Sequence, residues 1–195
     1  MKLASELLRV FLAVDVPEGE AKKKIEEFQK ALAQTGADLK LVGLENIHIT
    51  LRFLGDTPRA LVEQLKGELN KIEFPPFQVV FSSVGVFPDQ NRINVVWVGI
   101  DEGNVGLIEL SGKINRVLTR LNIPPDRRGF SPHLTVARVR TSRNREALLK
   151  TVKAFVDSEF SFFEADSFSL KQSTLTPAGP IYKDLQIVTA TRSPR

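Results

Sequence analysis

The segment NIHITL at residues 46–51 contains one of only two histidines in this 195-residue chain, and the other lies in a close copy, PHLTV at residues 132–136. Both copies read His-apolar-Thr-apolar. Because successive side chains of a strand point to opposite faces, a strand would place His48 and Thr50 on one face. A second strand would do the same for His133 and Thr135. The copies lie 85 residues apart, which indicates an internal duplication.

The composition is that of an ordinary globular protein, with 42% apolar and 26% charged residues. We find no run long and apolar enough to span a membrane. The apolar run at 10–14 is too short for a secretion signal, so we expect a cytoplasmic protein without a membrane partner. The absence of cysteine excludes disulfides, thiolate catalysis and sulfur-ligated zinc. With two histidines as the only nitrogen ligands, we predict neither a metal site nor a cofactor.

Positive charge is concentrated around the second histidine. Although the net charge of the chain is only +4, residues 127–153 hold eight basic side chains and one acidic side chain, Glu146. The basic residues are Arg127, Arg128, Arg138, Arg140, Arg143, Arg145, Lys150 and Lys153. A patch of this kind favours a polyanion and can supply contacts to phosphate, although a solvated helix face would have the same composition.

Hydrophobic periodicity predicts alternating strands and helices. We expect strands at 9–16, 39–42, 46–53, 77–84, 93–100, 133–140, 160–170 and 185–189, and helices at 18–34, 57–72, 104–121 and 144–155. Gly55 and Asp56 should end the first motif strand, with Thr57 capping the next helix and Pro58 as its first residue. Each motif strand is followed by a helix, a Phe-rich strand, a Gly/Pro turn and another strand.

This repeated order predicts an α+β fold. We expect a single bilobal domain over residues 1–195, in which two pseudo-symmetric lobes face one another across a central cleft. Each lobe would be a mostly antiparallel sheet backed by helices. The motif strands, 46–53 and 133–140, would bring both histidines to the cleft.

Two histidines on opposite sides of one atom can act as general base and general acid in a single displacement, because an imidazole pKa near 6.5 makes both protonation states available. The hydroxyls of Thr50 and Thr135 can donate to the oxygens of a tetrahedral anion. A phosphodiester fits this arrangement, and an arginine could hold its charge without a metal ion. The alternative is that each histidine is structural.

The extended motifs resemble the 2H phosphoesterases, in particular the LigT-like RNA 2′,3′-cyclic phosphodiesterases (2′-5′ RNA ligase family). The resemblance covers residues 9–187 and rests on four segments: RVFLAVDVP at 9–17, NIHITLRFLGD at 46–56, FSPHLTVARVR at 130–140 and SLKQSTLTPAGPIYKDL at 169–185. It implies a fold of two pseudo-symmetric lobes. It also implies opening of RNA 2′,3′-cyclic phosphate ends to 2′-phosphates by a hydrolase that acts without a metal ion.

By motif position, the resemblance makes His48 the proton donor to the departing 3′-oxygen and His133 the base that activates water. Thr50 and Thr135 would hold phosphate oxygens, and Arg138 would be the basic residue that closes the second motif. Strict alternation points Arg138 away from the cleft unless a bulge turns it inward, whereas Arg52 has the same parity as His48. Both arginines therefore remain candidates for binding the phosphate.

Single-stranded RNA is usually held by stacking of its bases on aromatic rings. The candidate rings are Phe11, Phe130 and Tyr182, the last lying in a predicted turn, whereas alternation places Phe53 in the core. The expected partners are RNA ends with a cyclic phosphate, including tRNA-like fragments, and the expected state is a monomer. Three alternatives stay open: 2′-5′ ligation at the same site, hydrolysis of a small cyclic phosphate, and RNA-end binding without chemistry.

Overall fold

Apolar and alternating segments form nine strands, and segments with apolar residues three and four apart form four helices, in the ranges that the computed structural model describes (6–126, 129–177 and 179–192). The strands are β1 (Leu7–Asp15), β2 (Leu39–Leu41), β3 (His48–Pro58), β4 (Phe77–Pro88), β5 (Ile93–Ile100), β6 (Leu134–Val139), β7 (Glu159–Ala165), β8 (Ser167–Leu175) and β9 (Pro180–Thr189). The helices are α1 (Glu20–Gln34), α2 (Arg59–Leu69), α3 (Asn104–Arg120) and α4 (Arg145–Ala154).

All nine strands belong to one sheet with the order β7-β4-β5-β6-β3-β1-β8-β9, and β2 pairs with β6 off this path. Every pairing among them is antiparallel. The two motif strands meet at the centre, where Ile49 pairs with Leu134. The sheet therefore has two halves of four strands, β3-β1-β8-β9 and β6-β5-β4-β7, that join at the motifs. The predicted α+β fold is confirmed.

Each half of the sheet contains strands from both ends of the chain. The unit β1-α1-β3-α2-β4 sends its last strand, β4, to pair with β5 and β7 in the other half. After the second motif strand, β8 crosses back to pair with β1. The order of helices and strands thus repeats along the chain, but each copy contributes a strand to the half of the sheet that contains the motif of the other copy. In particular, β5 lies beside a motif strand, whereas β9 lies at an edge of the sheet.

One hydrophobic core lies between the sheet and the helices. It combines the inward residues of α1, among them Ile25 and Phe28, with residues of the motif strands such as Ile49 and Leu134. Burial of these side chains holds the helices on one face of the sheet. The opposite face at the centre of the sheet, where the histidines lie, is therefore left open. In the part of the chain that the structure describes, no helix is long and apolar enough to cross a membrane.

Gly55 does not end the first motif strand, so that prediction was wrong. The strand continues to Pro58, because the register with β1 shifts at the unpaired residue Leu54 and pairing resumes at Gly55, which adopts φ +75°. Glycine takes this left-handed conformation without steric cost, which allows a bulge to bend the strand without ending it. As a result α2 begins at Arg59, and Thr57 is a buried strand residue and not a cap.

The apolar segment 160–170 was predicted as one strand, and this was also wrong. It contains the end of β7 and the start of β8, with Asp166 between them. β7 pairs with β4 and β8 pairs with β1, so the chain leaves one half of the sheet for the other at this residue. Continuous apolar content cannot reveal such a change of partner.

Candidate active site

A cleft of about 520 Å³ lies on the open face, where the two halves of the sheet meet. Both histidines and both threonines of the motifs line it. Strands β1, β3, β6, β8 and β9 supply most of its walls, together with the segment at 40–46. The other lining residues that matter below are Phe11, Lys40, Asn46, Phe53, Arg138 and Tyr182.

The pairing of the motif strands arranges the four motif side chains around a pseudo-two-fold axis. Ile49 pairs with Leu134 in antiparallel register. Counting outward from this pair places His48 opposite Thr135 and Thr50 opposite His133, and opposed side chains in such a ladder have Cβ atoms about 5 Å apart. Continued pairing in this register would put each histidine across from the threonine of the other motif.

The two imidazoles are held in the same way. His48 Nδ1 lies 2.7 Å from the carbonyl oxygen of Asn46, and His133 Nδ1 lies 2.8 Å from that of Ser131. A carbonyl oxygen can only accept, so each Nδ1 must carry a proton and donate it. This fixes the tautomer and leaves Nε2 as the reactive atom. His48 Nε2 is 3.0 Å from the hydroxyl oxygen of Thr50.

Matching bulges follow the two motifs and change which residues face the cleft. In β3, Leu12 pairs with Arg52 and Ala13 with Thr50, which leaves one extra residue, Leu51. In β6, Trp97 pairs with Thr135 and Val96 with Ala137, and the extra residue is Val136. A bulge of one residue reverses the alternation beyond it.

Arg138 is exposed and lines the cleft as a consequence of this reversal. At the equivalent position of the first motif the cleft contains Phe53, which is 43% exposed and stacks against Arg9 at 4.9 Å. The prediction that Phe53 is a core residue was wrong, because it assumed unbroken alternation.

Arg52 points into the protein for the same reason and is only 8% exposed. Its guanidinium donates to the carbonyl oxygen of Pro124 and lies 3.7 Å from the carboxylate of Asp126. Arg52 is not among the described residues that line the cleft. The expectation that it shares a face with His48 is therefore wrong, and its contacts attach β3 to the loop that precedes the second motif.

Burial lowers the pKa of His48 below its ordinary value of 6.5. The Asn46 carbonyl and the charge of Asp15 oppose this effect, and the positive charges of Lys171 and Arg138 add to it. Lys171 itself is 7% exposed. Its ammonium group lies 2.8 Å from Asp15 and 2.5 Å from Asp184. A buried lysine with two partly exposed carboxylate partners therefore lies near His48 and influences its pKa.

A family model for LigT-like phosphoesterases matches residues 14–97 and 98–182, so each motif falls in its own matched segment. The chain belongs to the LigT-like phosphoesterase family. The resemblance stated from the sequence is thereby confirmed, and the two matched segments reflect the internal repeat.

Relatives of this LigT-like chain carry a common name. A protein of Methanocaldococcus jannaschii is 38% identical over 90% of this chain and 97% of its own length, and is named RNA 2′,3′-cyclic phosphodiesterase. A protein of Aeropyrum pernix with the same name is 37% identical over 88% of this chain and 98% of its own length.

Solved structures show the same fold. Escherichia coli LigT in apo form matches with a TM-score of 0.76 and 24% identity, over 96% of this chain and all of that one. TT0787 of Thermus thermophilus matches with a TM-score of 0.75 and 25% identity, over 93% of this chain and 97% of that one. The E. coli protein has also been solved in complex with 3′-AMP.

The aromatic rings predicted to stack on a base have different positions in the LigT-like cleft. Phe11 is 3% exposed and packs against His48 and Tyr182 at ring distances of 5.0 and 4.9 Å, so it has almost no exposed surface for a base to stack on. Phe130 packs against the hydrophobic core and is not among the described lining residues. Tyr182 does line the cleft, edge-on to His48 at 5.4 Å.

Sequence analysis missed three residues of this LigT-like site: Phe53, Lys40 and Lys171. The exposure of Phe53 depends on the bulge at Leu51. Lys40 lies opposite Arg138 in the pairing of β2 with β6, a pairing that no pattern in the sequence indicates. Lys171 could have been suspected, because a lysine between apolar residues of a strand needs an acidic partner if it is buried. Of the predicted basic patch, Arg127 and Arg128 lie outside the described residues.

Proposed function

We propose that this chain hydrolyses the 2′,3′-cyclic phosphate at RNA 3′ ends to a 2′-phosphate, with two histidines as acid and base. The observation that carries the proposal is the paired arrangement of His48 and His133. Each donates Nδ1–H to a backbone carbonyl two residues earlier, and both line one cleft with two threonine hydroxyls. The names of the relatives in M. jannaschii and A. pernix support the same reaction.

In the proposed reaction, His133 Nε2 takes a proton from water, whose oxygen attacks phosphorus. The bond from phosphorus to the 3′-oxygen breaks, and His48, protonated on both nitrogens, gives the Nε2 proton to that oxygen. The product carries a 2′-phosphate and a free 3′-hydroxyl. Thr50 and Thr135 donate to the non-bridging oxygens, and the Arg138 guanidinium neutralises the charge that develops on them.

The base of the terminal nucleotide would stack in the half of the cleft opposite Arg138. Phe53 is the exposed phenylalanine among the described lining residues, and Tyr182 is the second ring that faces the cleft. Stacking on such rings tolerates any base. We therefore propose Phe53 and Tyr182 as the base platform, in place of Phe11 and Phe130.

Both motifs come from one chain, so the site is complete without a second copy, and we propose a monomer. The four strands on either side of the cleft would act as the two lobes of one unit. We also propose that the substrates include tRNA-like fragments with cyclic phosphate ends and that the chain acts in the cytoplasm.

The decisive experiment uses an oligonucleotide that ends in a 2′,3′-cyclic phosphate and separates 2′-phosphate from 3′-phosphate products. We expect the 2′-phosphate, with the same rate in the presence of a chelator, since the histidines supply the acid and the base and the hydroxyls and Arg138 stabilise the charge in the proposed reaction. His48→Ala and His133→Ala should each lower the rate by about 10²–10⁴. Thr50→Ser also changes a side chain of the site but keeps the hydroxyl that donates to phosphate, and it serves as the control for the histidine variants.

Unimpaired turnover by the double variant His48→Ala/His133→Ala would overturn the proposal. A 3′-phosphate product would instead overturn the assignment of the 3′-oxygen as the leaving group. Tight binding of the oligonucleotide without any product would favour a binding module over an enzyme.

A further inference from the structure

A second groove lies beyond the end of β6, outside the cleft. It measures about 280 Å³ and is lined by residues 91–94 at the start of β5, the segment 139–143 and the start of α4. Four of its lining residues are arginines, namely Arg92, Arg140, Arg143 and Arg145. The proposed hydrolysis requires none of them.

These four guanidinium groups have no carboxylate partner among the described residues. The ion pairs found there involve other side chains. Asp89 lies near, but its carboxylate accepts from the backbone N–H groups of Asn91 and Arg92. Arg145 donates to the carbonyl oxygen of Asn91 at 2.7 Å, which positions its charge without neutralising it. The groove therefore concentrates positive charge, and a polyanion would relieve the repulsion.

The residues that line the groove follow those that line the cleft along β6, although no described residue lines both. Arg138 lines the cleft, and Arg140 lies two residues further along, where its backbone N–H still bonds to Asp38. Both side chains are exposed and Val139 between them is half-buried, so the two arginines share a face. With a rise of about 3.3 Å per residue, their Cα atoms are about 7 Å apart. Lys40, paired with Arg138, adds a further positive charge at the cleft end of this line.

We propose that this groove binds the sugar–phosphate backbone of the RNA strand on the 5′ side of the cyclic phosphate. The inference rests on the proposed function, because that function places the 3′ end of the strand in the cleft. The rest of the strand must leave the cleft, and the arginines mark the path on which its phosphates are neutralised. A single strand held through its backbone binds without regard to sequence and with a strong dependence on salt.

The test compares two substrates, a nucleoside 2′,3′-cyclic monophosphate and an oligonucleotide of about six nucleotides with the same end. The variant is Arg92→Gln/Arg140→Gln/Arg143→Gln, whose altered side chains make no hydrogen bond or ion pair with the described residues. The control is Lys23→Gln/Arg116→Gln/Arg120→Gln, which removes the same charge from exposed positions on α1 and α3, on the helical face of the sheet. Thermal unfolding of both variants establishes that they are folded.

We expect the groove variant to raise the KM for the oligonucleotide on the order of tenfold. The slope of log KM against log salt concentration should fall by about 2, since three phosphate contacts are lost and each single-strand contact contributes about 0.7 to this slope. Its kinetics on the mononucleotide should equal those of the unaltered chain, and the control should match that chain on both substrates. An unchanged KM for the oligonucleotide, or an equal effect of the control, would overturn the inference. Failure of the unaltered chain to cleave either substrate would overturn the proposed function instead.

Discussion

The matching bulges predict opposite outcomes for two arginines that have the same chemistry. The first motif strand turns Arg52 into the protein, and the second presents Arg138 to the cleft. Substitution of glutamine at each position should therefore separate stability from catalysis. Arg52→Gln should weaken the fold and retain activity, whereas Arg138→Gln should retain the fold and lose activity.

The expected magnitude for Arg52 comes from its contacts. The substitution removes a charge-assisted hydrogen bond to the Pro124 carbonyl and an ion pair at 3.7 Å to Asp126. Hydrogen bonds of charged groups contribute about 1.5–3 kcal/mol. Against this, Arg52 Nε is buried without a partner among the described residues, and its loss recovers part of the cost. We expect the free energy of unfolding to fall by about 2 kcal/mol, which for a chain of this size lowers Tm by about 4–8 °C.

The expected magnitude for Arg138 comes from the charge it would face. Its side chain is exposed, so the free energy of unfolding should change by less than about 0.5 kcal/mol. Loss of one donor to a developing oxyanion typically lowers kcat by about 10²–10³. Arg138→Lys keeps the charge without the planar geometry, and we expect it to recover part of the rate.

Thermal unfolding followed by circular dichroism and kcat/KM on a cyclic-phosphate oligonucleotide measure the two effects independently. The reasoning fails if Arg52→Gln leaves Tm unchanged and lowers kcat/KM as much as Arg138→Gln does. That result would mean that the side chain of Arg52 reaches the substrate, and that β3 has no bulge at Leu51.

Three further predictions concern the surroundings of the histidines. His48 must be protonated to act as the proton donor, and burial lowers its pKa, so kcat/KM should decline as the pH rises through a value below 6.5. kcat reports the complex, in which the anionic phosphate favours the protonated histidine, so kcat should decline at a higher pH. A decline of both quantities at one pH above 7.5 would contradict this prediction. Lys171→Met removes a positive charge that lowers the pKa of His48, so the decline in kcat/KM should move to higher pH. The free energy of unfolding should fall by about 2 kcal/mol, because the partly exposed carboxylates of Asp15 and Asp184 lose their cation. Lys171→Arg keeps the charge and is the control, and a pH profile that does not move in Lys171→Met would refute the coupling. Phe53→Leu should raise KM by about tenfold with little change in kcat, since stacking contributes about 1–3 kcal/mol per base, while Phe162→Leu at an exposed position of β7 should change neither.

The sequence predicted the residues next to the histidines well, because a period of two holds from each histidine to the residue after its threonine. Within these few residues, apolar side chains face the core and polar ones face the cleft. Thr50 and Thr135 could therefore be placed by counting, and both line the cleft.

Counting fails after one more residue, because a bulge depends on the partner strand and leaves no mark in the sequence. Leu51 and Val136 are apolar and β-compatible, like their neighbours, so nothing indicates that each is the unpaired residue. This single insertion exchanges Arg52 and Phe53 between core and cleft. The change of sheet half at Asp166 was hidden for the same reason, since strand content can be read from a sequence more easily than strand partners.

The exchange of strands between the copies also relates this fold to a domain-swapped dimer. A chain that ended after β4 would carry a strand whose two partners, β5 and β7, come later in the present chain. Two such chains could satisfy their unpaired edges by trading these strands, as a domain-swapped dimer does. The present chain corresponds to such a dimer joined into one polypeptide. Because β4 and β8 pair on opposite sides of the cleft, the position of each histidine depends on a strand from the copy that carries the other histidine.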